Sequence, residues 1–243
     1  MSDRIFGLRP VIEAIESGKT IDKLMIQKGL QGEIYSELMG LVKSYEIPVQ
    51  YVPIQKLNRL TGKNHQGVFA FLSPIEFYSI EDILPQVFEA GKNPLFLILD
   101  RVSDVRNFGA ISRTAECCGV DAIIIPEKGS ASVNEDAVKT SAGALYKIPI
   151  CKEKSLKEVV KYLQLSGVQI TCANEKTSET LYDVDFKVPT AIVMGSEEDG
   201  VSSELLRTAD NLAKLPIFGE IGSLNVSVAC GAFLYEVIRQ RTT

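Results

Sequence analysis

Along the first part of the chain, apolar positions switch repeatedly between helical and strand spacing. "PVIEAIESG" reads as a helix that ends at Gly18, "IDKLMIQ" as a strand and "EIYSELMGLVKSYE" as a helix. "PVQYVP" follows as a strand, "IQKLNRLTG" as a helix and "GVFAFLS" as a strand. This is a small α/β unit. A polar, Pro-containing stretch from Ser73 to Tyr78 comes next, and the domain boundary is placed there, giving an accessory unit over residues 1–74 and a larger one over 75–243.

Beyond that stretch the pattern changes. "LFLILD", "AIIIP", "VQITCA", "AIVMG" and "LAKLPI" are continuous apolar runs, separated by helical patterns such as "AISRTAECCG", "SLKEVVKYLQLSG" and "SSELLRTA". Short β-rich runs alternating with helices predict a parallel sheet covered on both faces. Ligands of such sheets bind beyond the carboxyl ends of the strands. The segments of interest are therefore 100–107, 195–200 and 217–225.

Composition narrows the function classes. The 243 residues are 45% hydrophobic and 23% charged, ordinary values for a globular protein. No run long enough to span a membrane occurs and the N-terminus lacks a signal-peptide pattern, so a cytoplasmic protein is expected. The five cysteines include the adjacent Cys117 and Cys118 but no C-x-x-C pair; free, mostly buried thiols are expected, with no disulfide framework and no zinc site. The net charge of −5 argues against coating nucleic acid through bulk electrostatics. It is unevenly spread: residues 1–73 carry 9 Lys or Arg against 7 Asp or Glu, a net of +2, and the remainder 17 against 24, a net of −7. If RNA is the partner, the first unit is the better candidate for holding it.

Three strand-end segments hold the candidate chemistry. In "DRVSDVRNFGAISRTAECCGV", Asn107 is expected to cap a helix whose apolar stripe is Phe108, Ile111, Ala115 and Cys118. Arg113 lies nearly opposite that stripe; a lone arginine there is ordinarily a solvated one, but this one follows a strand-end cap. In "AIVMGSEEDGVSSELL", Gly195 and Gly200 permit close backbone approach or positive φ around Glu197, itself open to a reading as a solvent-facing acid before a helix. No G-x-G-x-x-G and no phosphate-loop pattern occurs. In "LPIFGEIGSLNVSVACGAFLYE", either Ser223 or Asn225 can cap a helix with the stripe Val226, Ala229, Cys230, Phe233 and Val237. Val228, Leu234, Tyr235 and Ile238 extend its apolar surface nearly all round, which suggests cover on two sides and a subunit interface.

These segments resemble the three motifs of the SpoU/TrmH family of RNA 2′-O-ribose methyltransferases, in the SPOUT superfamily. The match lies in "NFGAISR", "GSEEDG" and "LPIFGEIGSLNVSVA", with "SAGALYKIP" between them, and covers most of residues 95–243. One departure is Val105, where the family usually has proline. The first unit, through "IFGLRPVIEAIESG" and "HQGVFAFLS", resembles the RNA-binding domain of bacterial 23S ribosomal RNA guanosine-2′-O methyltransferases.

The resemblance implies an α/β fold with a deep trefoil knot in the parallel-sheet domain, preceded by a small α/β RNA-binding domain, and a homodimer through the knotted domain. It implies S-adenosylmethionine as cofactor, held by Met194, Gly195, Leu215, Ile217, Leu224 and Asn225, with no metal. Arg113 would engage the ribose 2′-hydroxyl and substrate phosphate, with Asn107, Glu197, Ser223 and Asn225 orienting the arginine and the ribose, and Glu197 pairing with Arg113. The implied substrate is a guanosine of 23S ribosomal RNA. Transfer RNA, or a non-catalytic role in RNA binding or ribosome assembly, is the alternative. His65, the only histidine, sits far from the motifs and reads as a turn or RNA-facing residue rather than a base.

Overall fold

A computed structural model describes residues 4–243. The chain divides into two compact units, one running through Glu76 and including Val133–Glu135, the other made of Phe77–Ser132 and Asp136–Thr243.

In the first unit the elements are β1 (Arg4–Phe6), α1 (Leu8–Glu16), β2 (Ile21–Gln27), α2 (Glu33–Ser44), β3 (Val49–Val52), α3 (Ile54–Leu60) and β4 (Val68–Leu72). The sheet order is β1-β4-β2-β3, with β2 and β3 parallel and the other pairs antiparallel. Side-chain alternation along the strands divides its core in two. Leu24, Ile26, Val68 and Ala70 face Val11, Ile12, Leu38 and Val42 of α1 and α2, whereas Met25, Val52 and Phe69 face Leu57 of α3. His65 lies in the turn before β4 and is buried. Its Nδ1 accepts from the Gly67 amide at 3.0 Å, which leaves Nε2 to donate to Asn58 Oδ1 at 2.7 Å. Of the two readings of His65, turn or RNA-facing residue, the structure has the turn: both ring nitrogens are bonded within the protein.

The second unit contains α4 (Ile80–Glu89), β5 (Leu95–Leu99), α5 (Val105–Cys117), β6 (Ala122–Pro126), α6 (Glu135–Thr140, all but its first residue) and β7 (Ile150–Glu153). After these come α7 (Leu156–Leu165), β8 (Gln169–Ala173), β9 (Thr190–Met194), α8 (Ser203–Thr208), β10 (Asn211–Ala213) and α9 (Val226–Thr242). Its six strands run in the order β10-β8-β9-β5-β6-β7, and every pairing is parallel. α4, α7 and α8 contribute buried side chains to one core with the strands, and α5 packs against α9. The chain leaves β5 toward β6 and β7 on one side and returns through β8 on the other, so the direction of winding reverses beside β5 and β9. That is where an open parallel sheet leaves a crevice.

The expected strand "LAKLPI" is shorter than its apolar run. Only Asn211–Ala213 pairs with β8, because the strand is at the sheet edge and Pro216 has no amide to extend the ladder. All five cysteines are free thiols, with Cys117 exposed and the other four buried. No helix among the described residues is long and apolar enough to cross a membrane.

Candidate active site

The carboxyl ends of β8, β9 and β10 open onto a cavity of about 550 Å³. Its walls combine Met194 and Gly195 at the end of β9, the following turn through Gly200, and Leu215, Ile217, Ser223 and Leu224 from the segment before α9.

The turn after β9 folds back tightly. Ser196 and Gly200 exchange backbone hydrogen bonds at 3.2 and 3.0 Å, and the Asp199 amide donates to Ser196 Oγ at 3.1 Å. Gly200 has φ 67, which only glycine adopts freely. A Cβ on Gly195 would overlap the backbone of Gly200 and Val201, so position 195 must be glycine for the turn to close. From β5, buried Asp100 accepts the Ser202 amide at 2.6 Å, and Arg101 reaches Asp199 and the Gly200 carbonyl. Asp100, foremost, holds the Arg101 guanidinium above its ordinary pKa.

Beside this cavity three motif side chains meet. Asn107 Nδ2 donates to Glu197 Oε1 at 2.9 Å, Asn225 Nδ2 donates to the same oxygen at 2.7 Å, and Asn225 Nδ2 also reaches Asn107 Oδ1 at 3.0 Å. The expected cap at Asn107 is corrected. α5 begins earlier, at Val105, and Asp104 caps it by accepting from the Asn107 amide at 2.8 Å. Asp104 is as good a cap as asparagine and precedes it, so the Asn107 side chain is left for Glu197. Val105, where the family pattern has proline, occupies the first helical position, one that does not need its amide.

Asn225 serves both purposes, since its Oδ1 caps α9 by accepting from Ser227 N at 3.0 Å while its amide nitrogen holds Glu197. Ser223 is exposed and lines the cavity. Arg113 is exposed on α5, opposite buried Phe108, Ile111, Ala115 and Cys118. The expected Glu197–Arg113 pair is not formed among the described residues; the two asparagine amides occupy Glu197 instead. Gly109, the glycine of "NFGAISR", has a packing role: a Cβ there would come within 2.7 Å of Thr140 Cβ and 2.9 Å of the Ala137 carbonyl.

Sequence reasoning missed the end of β8. Ala173, Asn174, Glu175 and Lys176 line the same cavity, and their signal was present, because "VQITCA" is itself a strand whose carboxyl end faces the crevice. Among the described residues no cluster of His, Cys, Asp and Glu is placed to hold a metal ion.

A family model described as the SpoU rRNA Methylase family matches residues 94–235, and one described as RNA 2′-O ribose methyltransferase substrate binding matches residues 4–78. A Staphylococcus saprophyticus protein named as a TrmH family tRNA/rRNA methyltransferase is 35% identical over 237 residues, 98% of this chain and 95% of its own length. Among solved structures, an AdoMet-bound rRNA methyltransferase from Sinorhizobium meliloti is 27% identical with a TM-score of 0.63, covering 97% of this chain and 86% of that one. An A. aeolicus TrmH/SpoU tRNA modifying enzyme is 32% identical with a TM-score of 0.57, covering 67% of this chain and 84% of that one.

Proposed function

The chain belongs to the SpoU rRNA methylase family, and we propose that within it the protein is an S-adenosylmethionine-dependent 2′-O-ribose methyltransferase acting on a guanosine of 23S ribosomal RNA. The observation that carries this reading is the joining of Asn107, Glu197 and Asn225 beside the 550 Å³ cavity at the strand ends.

The residues present fit the cofactor. A cavity of this volume suits a ligand of that size, and its lining mixes apolar and polar groups, as a ligand with both a charged and an apolar part requires. Met194, Leu215, Ile217 and Leu224 supply apolar wall, and the Gly195–Gly200 turn supplies backbone polar groups. When bound, S-adenosylmethionine supplies an electrophilic methyl group. The chain's own residues position the acceptor: the amides of Asn107 and Asn225 fix the Glu197 carboxylate, which can accept a hydrogen bond from a ribose hydroxyl. Arg113 is free to engage substrate phosphate. A guanidinium stays charged near neutral pH, so Arg113 acts as anchor and orienter of the ribose.

The first unit is proposed to hold the RNA. Relatives named tRNA/rRNA methyltransferases favour neither RNA, and the preference for ribosomal RNA rests on coverage: the rRNA methyltransferase structure aligns with both units, whereas the tRNA modifying enzyme covers 67% of this chain. The family's knotted topology is proposed for the second unit. A homodimer is proposed as well, supported by exposed Val228 and Tyr235 on α9 and by Phe218 and Ile221 in the loop before it.

The test is single-turnover methylation of ribosomal RNA taken from cells lacking this protein, with the modified position mapped. A 2′-O-methyl group should appear at one guanosine without added metal. Arg113→Ala should retain fold and cofactor binding but lose at least about a hundredfold in rate. Label on a base, label on transfer RNA alone, or an unaffected Arg113→Ala would each overturn a stated part of this reading.

A further inference from the structure

We propose that Arg101 is a positioning residue that clamps the Ser196–Gly200 turn and so preorganises the cofactor wall and the Glu197 carboxylate together. This rests on the cofactor reading above.

Arg101 lies two residues past the end of β5 and holds a left-handed backbone conformation, φ 60, which is uncommon for a residue with a side chain. From there its guanidinium reaches three acceptors: Asp100 Oδ1 at 3.2 Å, Asp199 Oδ2 at 3.3 Å and the Gly200 carbonyl at 3.1 Å. The other oxygen of Asp100 takes the Ser202 amide, so two consecutive residues grip the end of the turn and the start of α8. Every residue from Ser196 to Gly200 lines the cavity. The turn also carries three successive acids, Glu197, Glu198 and Asp199, whose mutual repulsion favours opening unless a cation lies against them.

The clamp acts locally. Asp199 and the Arg101 side chain are 72% and 39% exposed, and ion pairs so placed add little to global stability. What the guanidinium supplies is a fixed fork that holds a backbone carbonyl and a carboxylate in one geometry. Preorganisation of a binding wall appears as affinity, because a loosened turn must be ordered again on each binding event.

The test uses the full-length protein with Arg101→Gly, which tolerates the backbone conformation, Arg101→Lys, which keeps charge but loses the fork, and Asp199→Asn, which leaves residue 101 untouched. Calorimetry with S-adenosylmethionine should show at least about tenfold weaker binding for Arg101→Gly and intermediate loss for the other two. Amide exchange without cofactor should quicken at residues 196–202, while the melting temperature stays within about 3 °C of wild type. Wild-type-like affinity and exchange in all three variants would overturn the clamp. A large fall in melting temperature, with exchange raised throughout the unit, would show Arg101 to be part of the fold instead. If the wild type fails to bind S-adenosylmethionine, the cofactor reading falls, and the exchange data still judge the clamp by themselves.

Discussion

Arg241, in the last turn of α9, should anchor that helix to the amino-terminal edge of the sheet, and its removal can be valued from its contacts. The guanidinium donates to the carbonyls of Phe186 at 2.9 Å, Asn93 at 2.8 Å, Pro94 at 3.0 Å and Val188 at 2.8 Å. These carbonyls lie just before β5 and β9, the central strands, and burial lowers the Arg241 pKa from its usual value. Two of the four bonds are partly buried and two are exposed. Water can replace the exposed pair, so only the partly buried two are counted, at roughly 1.5 kcal/mol each for a charged donor, giving about 3 kcal/mol. Arg241→Met keeps the stem and removes the donors. For a chain of this size the transition of the second unit should drop by about 6–12 °C. Thermal and denaturant melts of Arg241→Met and Arg241→Lys provide the measurement, with the lysine variant falling between. A loss below about 0.5 kcal/mol for the methionine variant would refute the reasoning, since it would mean that water satisfies all four carbonyls equally well.

Two further outcomes are expected. Burial, above all, pushes the thiols of Cys118 to about 11 and of Cys151 and Cys172 to about 12, and Cys230 is fully buried, so at pH 8 iodoacetamide should alkylate Cys117 alone in the native protein and all five thiols after denaturation; native labelling of a second thiol by intact mass would contradict this. Arg239 first, and Gln240 after it, hold the buried Glu236 carboxyl below its ordinary value of 4.5, so the stability it contributes is whole above about pH 4.5 and is lost as pH falls through the lower folded value; Glu236→Gln should flatten the acid limb of stability measured by urea titration, and an unchanged limb would sink the assignment.

What the sequence made legible depended on whether one physical signal dominated a segment. β5, β6 and β9 are buried along almost their whole length, and continuous apolar runs announce that. β7 has only two buried residues, Ile150 and Cys151, so neither a run nor an alternation marks it. α4 carries Pro85 in its interior and α6 has only six residues, which hides both from a periodicity argument. The turn and RNA-facing readings of His65 stay open in sequence because a turn histidine looks the same whether its ring faces water or closes a loop; Asn58, seven residues back, decides for the turn. The end of β8 was overlooked because its chemistry lies in Asn174, Glu175 and Lys176, residues that also read as an ordinary polar turn.

The site itself turns on an allocation that residue types alone leave open. Asn, Asp and Ser serve equally as helix caps and as ligands, and the motifs place several of them at two helix starts. Because Asp104 takes the cap of α5, the Asn107 amide is available to Glu197; because Asn225 divides its oxygen and nitrogen between the cap of α9 and Glu197, the start of that helix and the position of the carboxylate are one arrangement. Two neutral donors then satisfy Glu197 Oε1 without an ion pair to Arg113. Had Arg113 paired with Glu197, its charge would have been spent inside the protein. Without an acidic partner among the described residues, Arg113 stands on the solvent side of α5, as the proposed role toward an incoming phosphate requires.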